Sequence, residues 1–126
     1  SNMHLVSIDY NGLKFRCSES AYQAAKCANE EDRILFIGIN GYVAKKLGQK
    51  VSLRKDWYDV QLGIMEEILR IKFSKQPLRD ALIKTGDHFI AEANTWNDTF
   101  WGIVNGYGKN NLGTILMKIR EDFKNE

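Results

Sequence analysis

The sequence contains few of the residues that support redox or metal chemistry, with two cysteines and two histidines among 126 residues. Cys17 and Cys27 flank a predicted helix. Because a helix rises about 1.5 Å per residue, their Cα atoms should lie beyond disulfide reach. The sequence has no Cys-x-x-Cys pair and no Cys/His group with metal-ligand spacing. We therefore expect reduced thiols in a cytoplasmic protein and no metal site.

Long apolar runs and a strong charge of one sign are also missing. Without such a run, the sequence predicts neither a signal peptide nor a membrane span. The net charge of +2 is too mild to indicate a membrane or nucleic-acid surface, but it allows a local basic cleft for one phosphorylated ligand. One proline and no repeat argue against an internal linker. We therefore predict a single domain over residues 3–126, with Ser1-Asn2 interpreted as a remnant of tag cleavage.

Hydrophobic periodicity predicts an α+β fold, a mainly helical domain with a small β-sheet. Residues 4–17 read as extended and contain Asn11-Gly12, the preferred two-residue turn of a β-hairpin. Ser18 and Asn40 are good N-caps for two helices. The longest periodic segment has an apolar stripe typical of an amphipathic helix. The predicted elements are helices from Ser18 to about residue 28 and over 30–39, 41–48, 56–74, 76–86 and 112–123, a strand over 87–93 and a loop over 96–111.

The first predicted helix, "SESAYQAAKC", carries a polar face of unusual composition. At 3.6 residues per turn, Glu19, Tyr22, Gln23 and Lys26 fall within about 100° of arc, and alanines occupy the opposite side. One interpretation is a solvated face. The other is that the face lines a cleft, where Glu19 and Lys26 reach one ligand and have perturbed pKa values.

Two later stretches have the same ambiguity. "TWNDTFWG", residues 95–102, either tucks its aromatics into the core with Asp98 as a turn residue, or forms a stacking platform beside a carboxylate. Trp57 is either a core tryptophan or part of such a platform. "GYGKNNLG", residues 106–113, either binds phosphate through a helix N-terminus and Lys109, or forms a turn before the last helix.

Several segments occur together in one order: "SESAYQAAKC", "AKKLGQ", "RKDWYDVQLGIMEEILRIKF", "LRDALIKTGDHFIAEA", "DTFWG" and "GKNNLGTILMKIR". Over most of residues 15–123 they resemble the NADAR family, also called YbiA-like. The resemblance implies a YbiA-like fold and an N-glycosidase acting on a ribose N-glycoside with a phosphate or diphosphate on the sugar. The implied substrates are a phosphoribosylamino-pyrimidine of riboflavin biosynthesis or an ADP-ribosylated guanine base, free or in nucleic acid. By the same resemblance, neither reaction calls for a metal or another cofactor. The alternative is a non-catalytic module that binds ADP-ribose or a nucleotide.

The family motifs transfer to this sequence position by position. Glu19, Gln23 and Lys26 match the polar positions of S-E-x-x-x-Q-x-x-K, and Asn110 matches the Asn of G-x-N-x-L-G. Trp57 matches a D-W segment, and the D-x-x-W-G loop supplies three more positions. The predicted catalytic residues are Glu19, Lys26 and Asp98, and the predicted substrate-binding residues are Tyr22, Gln23, Trp57, Trp101, Gly102, Lys109 and Asn110.

The resemblance also implies a mechanism with open alternatives. Either Glu19 or Asp98 stabilises an oxocarbenium-like transition state while the other protonates the leaving nitrogen. Lys26 is the alternative nucleophile, through a Schiff base with the opened sugar.

Two departures from the family pattern are visible. "MHLVSIDYNGLKF" does not match the F-L-S-N-F-like segment that members usually carry before the first helix, which predicts a more open cleft. Val104 replaces the second Gly of W-G-x-G, which predicts a different leaving-base pocket.

Overall fold

A computed structural model describes residues 1–94 and 96–126, which form two compact units, residues 1–72 and 73–126. Thr95, in the predicted aromatic loop, lies outside the described residues. The predicted fold class is confirmed, since six helices accompany a two-stranded antiparallel sheet in the described chain. The elements are β1 (Ile8–Tyr10), β2 (Leu13–Phe15), α1 (Ser18–Ala25), α2 (Glu30–Arg33), a 3-10 turn (Ile34–Phe36), α3 (Gly41–Gly48), α4 (Trp57–Phe73), α5 (Leu78–Lys84) and α6 (Asn111–Lys124).

The hairpin of the first unit forms where the sequence predicts it. Asn11 and Gly12 have φ angles of 51° and 80°, the left-handed conformation that a tight two-residue turn requires. Tyr10 pairs with Leu13 beside the turn. The buried ends of both strands then face the core of this unit.

Ser18, the predicted N-cap, is instead the first residue of α1, and the helix ends earlier than predicted. Cys17 is the N-cap residue, and the Ser18 hydroxyl donates to Asn2 Oδ1 at 2.9 Å instead of capping its own helix. The helix stops at Ala25 because the following chain forms an antiparallel bridge between Cys27 and Leu53. The predicted continuation to residue 28 is therefore wrong, since backbone pairing with a distant segment replaces the last turn.

Ser1 and Asn2 belong to the first unit, although the predicted domain began at Met3. The Asn2 carbonyl accepts the Glu19 backbone N–H at 3.0 Å, which satisfies a helix N-terminal donor. The buried Lys72 amine donates to the Ser1 carbonyl at 2.8 Å. These contacts make both residues part of the structure around α1.

The other predicted helices of the first unit are present, with different lengths. Asn40 caps α3 as predicted, because its Oδ1 accepts the Val43 N–H at 2.9 Å. The segment predicted over 30–39 is shorter and changes from α2 to a 3-10 turn before Gly38, whose φ is 79°. Helix α4 closely matches its prediction, and its apolar stripe is buried at Ile64, Met65, Ile68 and Leu69.

In the second unit, the strand predicted over 87–93 is not a strand. Its only sheet-like pairing in the described chain is an isolated bridge between Ala93 and Ile103. The Asn110 side chain pairs with this segment instead, donating to the Ile90 carbonyl at 2.8 Å and accepting from Glu92 N–H at 2.9 Å. A single side-chain amide therefore supplies two hydrogen bonds of the kind that a neighbouring strand would make.

Helices α5 and α6 agree with the sequence periodicity. Pro77 is the N-cap residue of α5, and Gly86, with φ of 64°, follows its end. The Arg79 guanidinium of α5 lies 4.1 Å from the ring centroid of Phe123 on α6. It also forms an ion pair with Glu126 at 2.6 Å. The two helices are thereby tied together within this unit.

Candidate active site

The polar face of α1 is buried. Glu19 is 9% exposed and Gln23 is 6% exposed, so the interpretation as a solvated face is wrong. Gln23 Nε2 donates to Glu19 Oε2 at 2.7 Å, one helical turn apart on the same face. This hydrogen bond fixes the orientation of the Glu19 carboxylate.

Lys26 follows directly after α1 and is half-buried. Burial lowers the pKa of its amine below the usual value, and the negative charges of Glu19 and Cys27 offset part of this effect. A lysine with a lowered pKa provides more of the neutral amine, which is the form that acts as a base or nucleophile. The expected perturbation at Lys26 is present.

Two glycines of α3 allow that helix to approach the polar face of α1. A Cβ atom at Gly41 would overlap Met3 Sδ and lie 3.1 Å from Glu19 Cβ. A Cβ atom at Gly48 would overlap Gln23 Oε1 and lie 3.0 Å from Lys26 Cε. Helix α3 therefore packs closely against the side chains of Glu19, Gln23 and Lys26.

Tyr22 and Trp57 pack against each other in the first unit. Their ring centroids lie 5.1 Å apart with an interplanar angle of 54°, and both side chains are buried. The Tyr22 hydroxyl also donates to Gln61 Oε1 at 3.4 Å. Trp57, at the start of α4, therefore lies in the core, which agrees with its interpretation as a core tryptophan.

Asp98, in the second unit, acts as a turn residue. Its Oδ1 accepts the backbone N–H groups of Phe100 at 3.1 Å and Trp101 at 2.9 Å. Asn94 completes the turn by donating to the Asp98 carbonyl at 2.9 Å and accepting the Asp98 N–H at 3.0 Å. This geometry supports the structural interpretation of Asp98 over the catalytic one.

The remaining motif residues also lie in the second unit. A Cβ atom at Gly102 would overlap the Glu92 carbonyl oxygen, so this position excludes a side chain. The side-chain amide of Asn110 forms hydrogen bonds with the backbone of residues 90–92, and Asn110 has a left-handed φ of 52°. Lys109 is exposed, with its Nζ 5.8 Å from the ring centroid of Phe100.

The structure thus groups Glu19, Tyr22, Gln23, Lys26 and Trp57 in the first unit, and Asp98, Trp101, Gly102, Lys109 and Asn110 in the second. Residues 1–94 and 96–126 contain no group of three or more His, Cys, Asp or Glu side chains that could hold a metal ion. No helix in this described part combines the length and apolar character needed to cross a membrane.

Sequence reasoning missed residues that support the α1 cluster. Gly41 and Gly48 are seven residues apart, a spacing that places both on one helix face and signals close helix packing. Ser1-Asn2, interpreted from the sequence as a remnant of tag cleavage, contacts α1 in the structure. The contacts of Asn2 with Ser18 and Glu19 give this dipeptide a role in positioning the helix.

A buried carboxylate on a helix and an amine of lowered pKa directly after it are groups that acid–base and nucleophilic enzymes use. The family model of the NADAR domain matches residues 1–124. The chain therefore belongs to the NADAR family, which confirms the resemblance. The match begins at residue 1 and covers both units.

Curated relatives have names that agree with the predicted class of activity. N-glycosidase YbiA of Shigella boydii is 36% identical over 126 residues, which cover 96% of this chain and 78% of the relative. An N-glycosidase of Nostoc punctiforme is 36% identical over 115 residues, which cover 85% of this chain and 73% of the relative. A riboflavin biosynthesis protein of Vibrio vulnificus is 34% identical over 98% of this chain, which spans only 35% of that protein.

A solved structure shows the same fold. The NMR structure of Escherichia coli YbiA matches with a TM-score of 0.87 at 34% identity, covering 98% of this chain and 76% of that chain. The YbiA-like fold predicted from the sequence is confirmed.

Proposed function

We propose that this chain is an N-glycosidase that hydrolyses the bond between a ribose carbon and the nitrogen of a planar base. The proposal is supported by the family, by relatives named N-glycosidases and by the chemistry of α1. The observation that carries it is the buried Glu19 carboxylate, held at 2.7 Å by the Gln23 amide on the same face as Lys26.

Glu19 is the carboxylate that we assign to the transition state. Cleavage of a sugar bond develops positive charge at the anomeric carbon, and a fixed carboxylate stabilises that charge. The Gln23 amide acts as a positioning group for this carboxylate. Asp98 is the weaker candidate, because its Oδ1 already accepts two backbone N–H groups in its own turn.

Lys26 is the proposed nucleophile. Its neutral amine attacks the anomeric carbon, the carbon–nitrogen bond to the base breaks, and the leaving nitrogen takes up the proton that the attacking amine gives up. The resulting amine adduct opens to a Schiff base, and water then hydrolyses it to release the sugar and the free amine. Reduction with borohydride during turnover should trap a covalent sugar adduct on Lys26, whereas direct attack by water would leave none.

The substrate is proposed to be a ribose N-glycoside with phosphate on the sugar, acted on in the cytoplasm. Two substrates fit this description: a phosphoribosylamino-pyrimidine of riboflavin biosynthesis, and an ADP-ribosylated guanine base in nucleic acid. The net charge of +2 favours a small molecule or a short strand over a long duplex.

A turnover assay with both substrates tests the proposal. Base release from either one should be lost in Glu19→Gln and Lys26→Ala, and kept in Glu31→Gln, which changes an exposed acid. No release from either substrate, with saturable ADP-ribose binding by calorimetry, would instead indicate a non-catalytic binding module. Full activity in a folded Glu19→Gln protein would contradict the assignment of Glu19.

A further inference from the structure

An exposed apolar surface lies next to the hairpin in the first unit. Leu5 and Ile37 are 56% and 43% exposed and line one groove of about 450 Å³ beside β2. The 3-10 turn before Ile37 adds Ile34 and Leu35, which are 49% and 53% exposed. We call these four side chains the apolar patch. Contiguous apolar surface on a folded protein indicates an interaction site.

The apolar patch is carried by a fixed segment. Phe36, in the middle of this segment, is fully buried, and the Ile37 N–H donates to the Ile34 carbonyl at 3.3 Å. The Ser20 hydroxyl of α1 donates to the Ile39 carbonyl at 3.0 Å. Because the backbone is anchored on both sides of Ile37, a partner can bind the apolar patch at a low cost in ordering entropy.

Cations border the apolar patch at one end. Lys14 and Arg16 are exposed and line the same groove. The Arg16 guanidinium donates to the Gly38 carbonyl at 3.4 Å, which places this cation directly beyond Ile37. Within the described residues Arg16 has no ion pair, so its charge is available to a carboxylate of a partner. We call Lys14 and Arg16 the basic end.

A carboxylate borders the apolar patch at the other end. Glu31, on α2, is exposed and precedes Ile34 and Leu35 by three and four residues. This helical spacing places its side chain next to theirs. Glu31 also has no ion pair in the described part of the chain. Residues 31–38 therefore run from an acidic residue, through the apolar patch, to the basic end.

We propose that the apolar patch is the interface of a homodimer, in which two copies of this chain are related by a twofold axis. In such a contact the apolar patch packs on its own copy, and the basic end of one copy meets the acidic residue of the other. Arg16 then pairs with Glu31 of the partner subunit, and the symmetry repeats this pair. A foreign acidic peptide would place like charge beside Glu31, which favours a second copy as the occupant.

The dimer is expected to be weak and sensitive to salt. Four apolar side chains per copy form a small contact, so we expect a Kd of about 100 µM. Exposed ion pairs are screened by salt, so the dimer should weaken between about 0.05 M and about 0.5 M sodium chloride. The proposal goes beyond the glycosidase reaction and does not depend on it, because association is measured without substrate.

Sedimentation velocity of the intact protein from about 10 µM to about 1 mM tests the proposal, since a dimer must increase with concentration. Arg16→Glu and Glu31→Lys should each weaken dimerisation by at least about tenfold, because symmetry brings like charges together twice. Lys50→Glu is the control, because it reverses an exposed cation just beyond α3 and should leave the dimer unchanged.

An equimolar mixture of the Arg16→Glu and Glu31→Lys proteins tests the pairing itself. In a heterodimer of these two variants, opposite charges meet again at both ends of the contact. The mixture should therefore dimerise like the unaltered protein, although neither variant does so alone. Variants that had only lost their fold would not recover on mixing.

Leu35→Ser tests the apolar part of the contact. It removes an exposed leucine of the apolar patch and should weaken the dimer by about tenfold. Leu62→Ser is the matched control, because Leu62 is 44% exposed on α4, and this variant should dimerise normally. Circular dichroism and urea unfolding of both variants check that each is folded.

A protein that stays monomeric up to about 1 mM overturns the proposal. So does a dimer that persists in Arg16→Glu and Leu35→Ser, which would show that another surface forms it, or a variant mixture that stays monomeric. A fluorescein-labelled peptide of alternating leucine and glutamate probes the other occupant. If it binds monomeric protein and Arg16→Glu abolishes this binding, the apolar patch serves a foreign acidic partner and the proposal is also overturned. Base release enters none of these measurements, so failure of the glycosidase assay would leave them unchanged.

Discussion

Gly48 of α3 lies directly against the side-chain amide of Gln23 on α1. A Cβ atom at this position would overlap Gln23 Oε1 and lie 2.8 Å from its Cδ. Among the described residues, Gln23 Oε1 is also the buried side-chain oxygen without a hydrogen-bond partner. One end of the amide therefore contacts a helix backbone, while the other end donates to Glu19. The absence of a side chain at Gly48 allows this arrangement.

Gly48→Ala should destabilise the protein and reduce activity. The added methyl group must displace Gln23 or Lys26, and overpacking of this kind costs about 1–3 kcal/mol. Gly63→Ala is the matched control, because Gly63 lies within α4 and its Cβ would meet nothing within 4 Å. The control should gain about 0.5–1 kcal/mol from helix propensity. Urea unfolding of both variants measures the difference, and equal stabilities would contradict the packing argument.

Gln23→Met should separate a positioning role from substrate binding. Without the amide donor, the buried Glu19 carboxylate loses its 2.7 Å hydrogen bond, at a cost of about 1–3 kcal/mol in unfolding free energy. If Gln23 only positions Glu19, kcat should fall by up to about 100-fold while KM stays constant. Gln49→Met, on an exposed glutamine, should change neither quantity. A rise in KM with unchanged kcat would show that Gln23 binds substrate directly.

Features set by neighbouring residues could be predicted from the sequence. The Asn11-Gly12 turn and the Asn40 cap depend on the conformational and hydrogen-bonding preferences of a few adjacent residues. The length of α4 follows from an apolar stripe that repeats over four turns. These elements agree with their predictions because the cause of each lies within the segment itself.

Features that depend on distant segments could not be predicted in this way. The extended chain before the aromatic loop pairs with the Asn110 amide, about twenty residues further on, rather than with a strand. Ser18 bonds to Asn2 instead of capping α1. The burial of Glu19 and Gln23 depends on α3, which the helical spacing of α1 alone does not reveal. The family motifs point to Glu19, Gln23 and Lys26 as site residues, without showing how their side chains are held.

Asp98→Asn should keep most of the activity and stability. Asn retains the oxygen that accepts the Phe100 and Trp101 N–H groups, so the turn should persist. Asp98→Ala removes this acceptor and should cost about 1 kcal/mol in unfolding free energy. The comparison requires turnover rates and urea unfolding of both variants. A stable but inactive Asp98→Asn protein would instead identify Asp98 as a catalytic acid.

Lys26→Met should change how stability depends on pH. Burial lowers the Lys26 pKa, so the charged amine destabilises the folded protein. As the pH rises toward the usual pKa of 10.5, the folded protein loses this proton before the unfolded chain does. The contribution of Lys26 to stability therefore increases with pH. Burial raises the pKa of Cys27 to about 11, so its contribution is lost between pH 9 and 11 and opposes that of Lys26. The informative quantity is therefore the difference between variants in how the free energy of unfolding changes with pH. In urea unfolding across this range, Lys26→Met should lose more stability with rising pH than the unaltered protein, whereas Lys50→Met should follow the unaltered protein. Parallel curves for all three proteins would contradict a lowered Lys26 pKa.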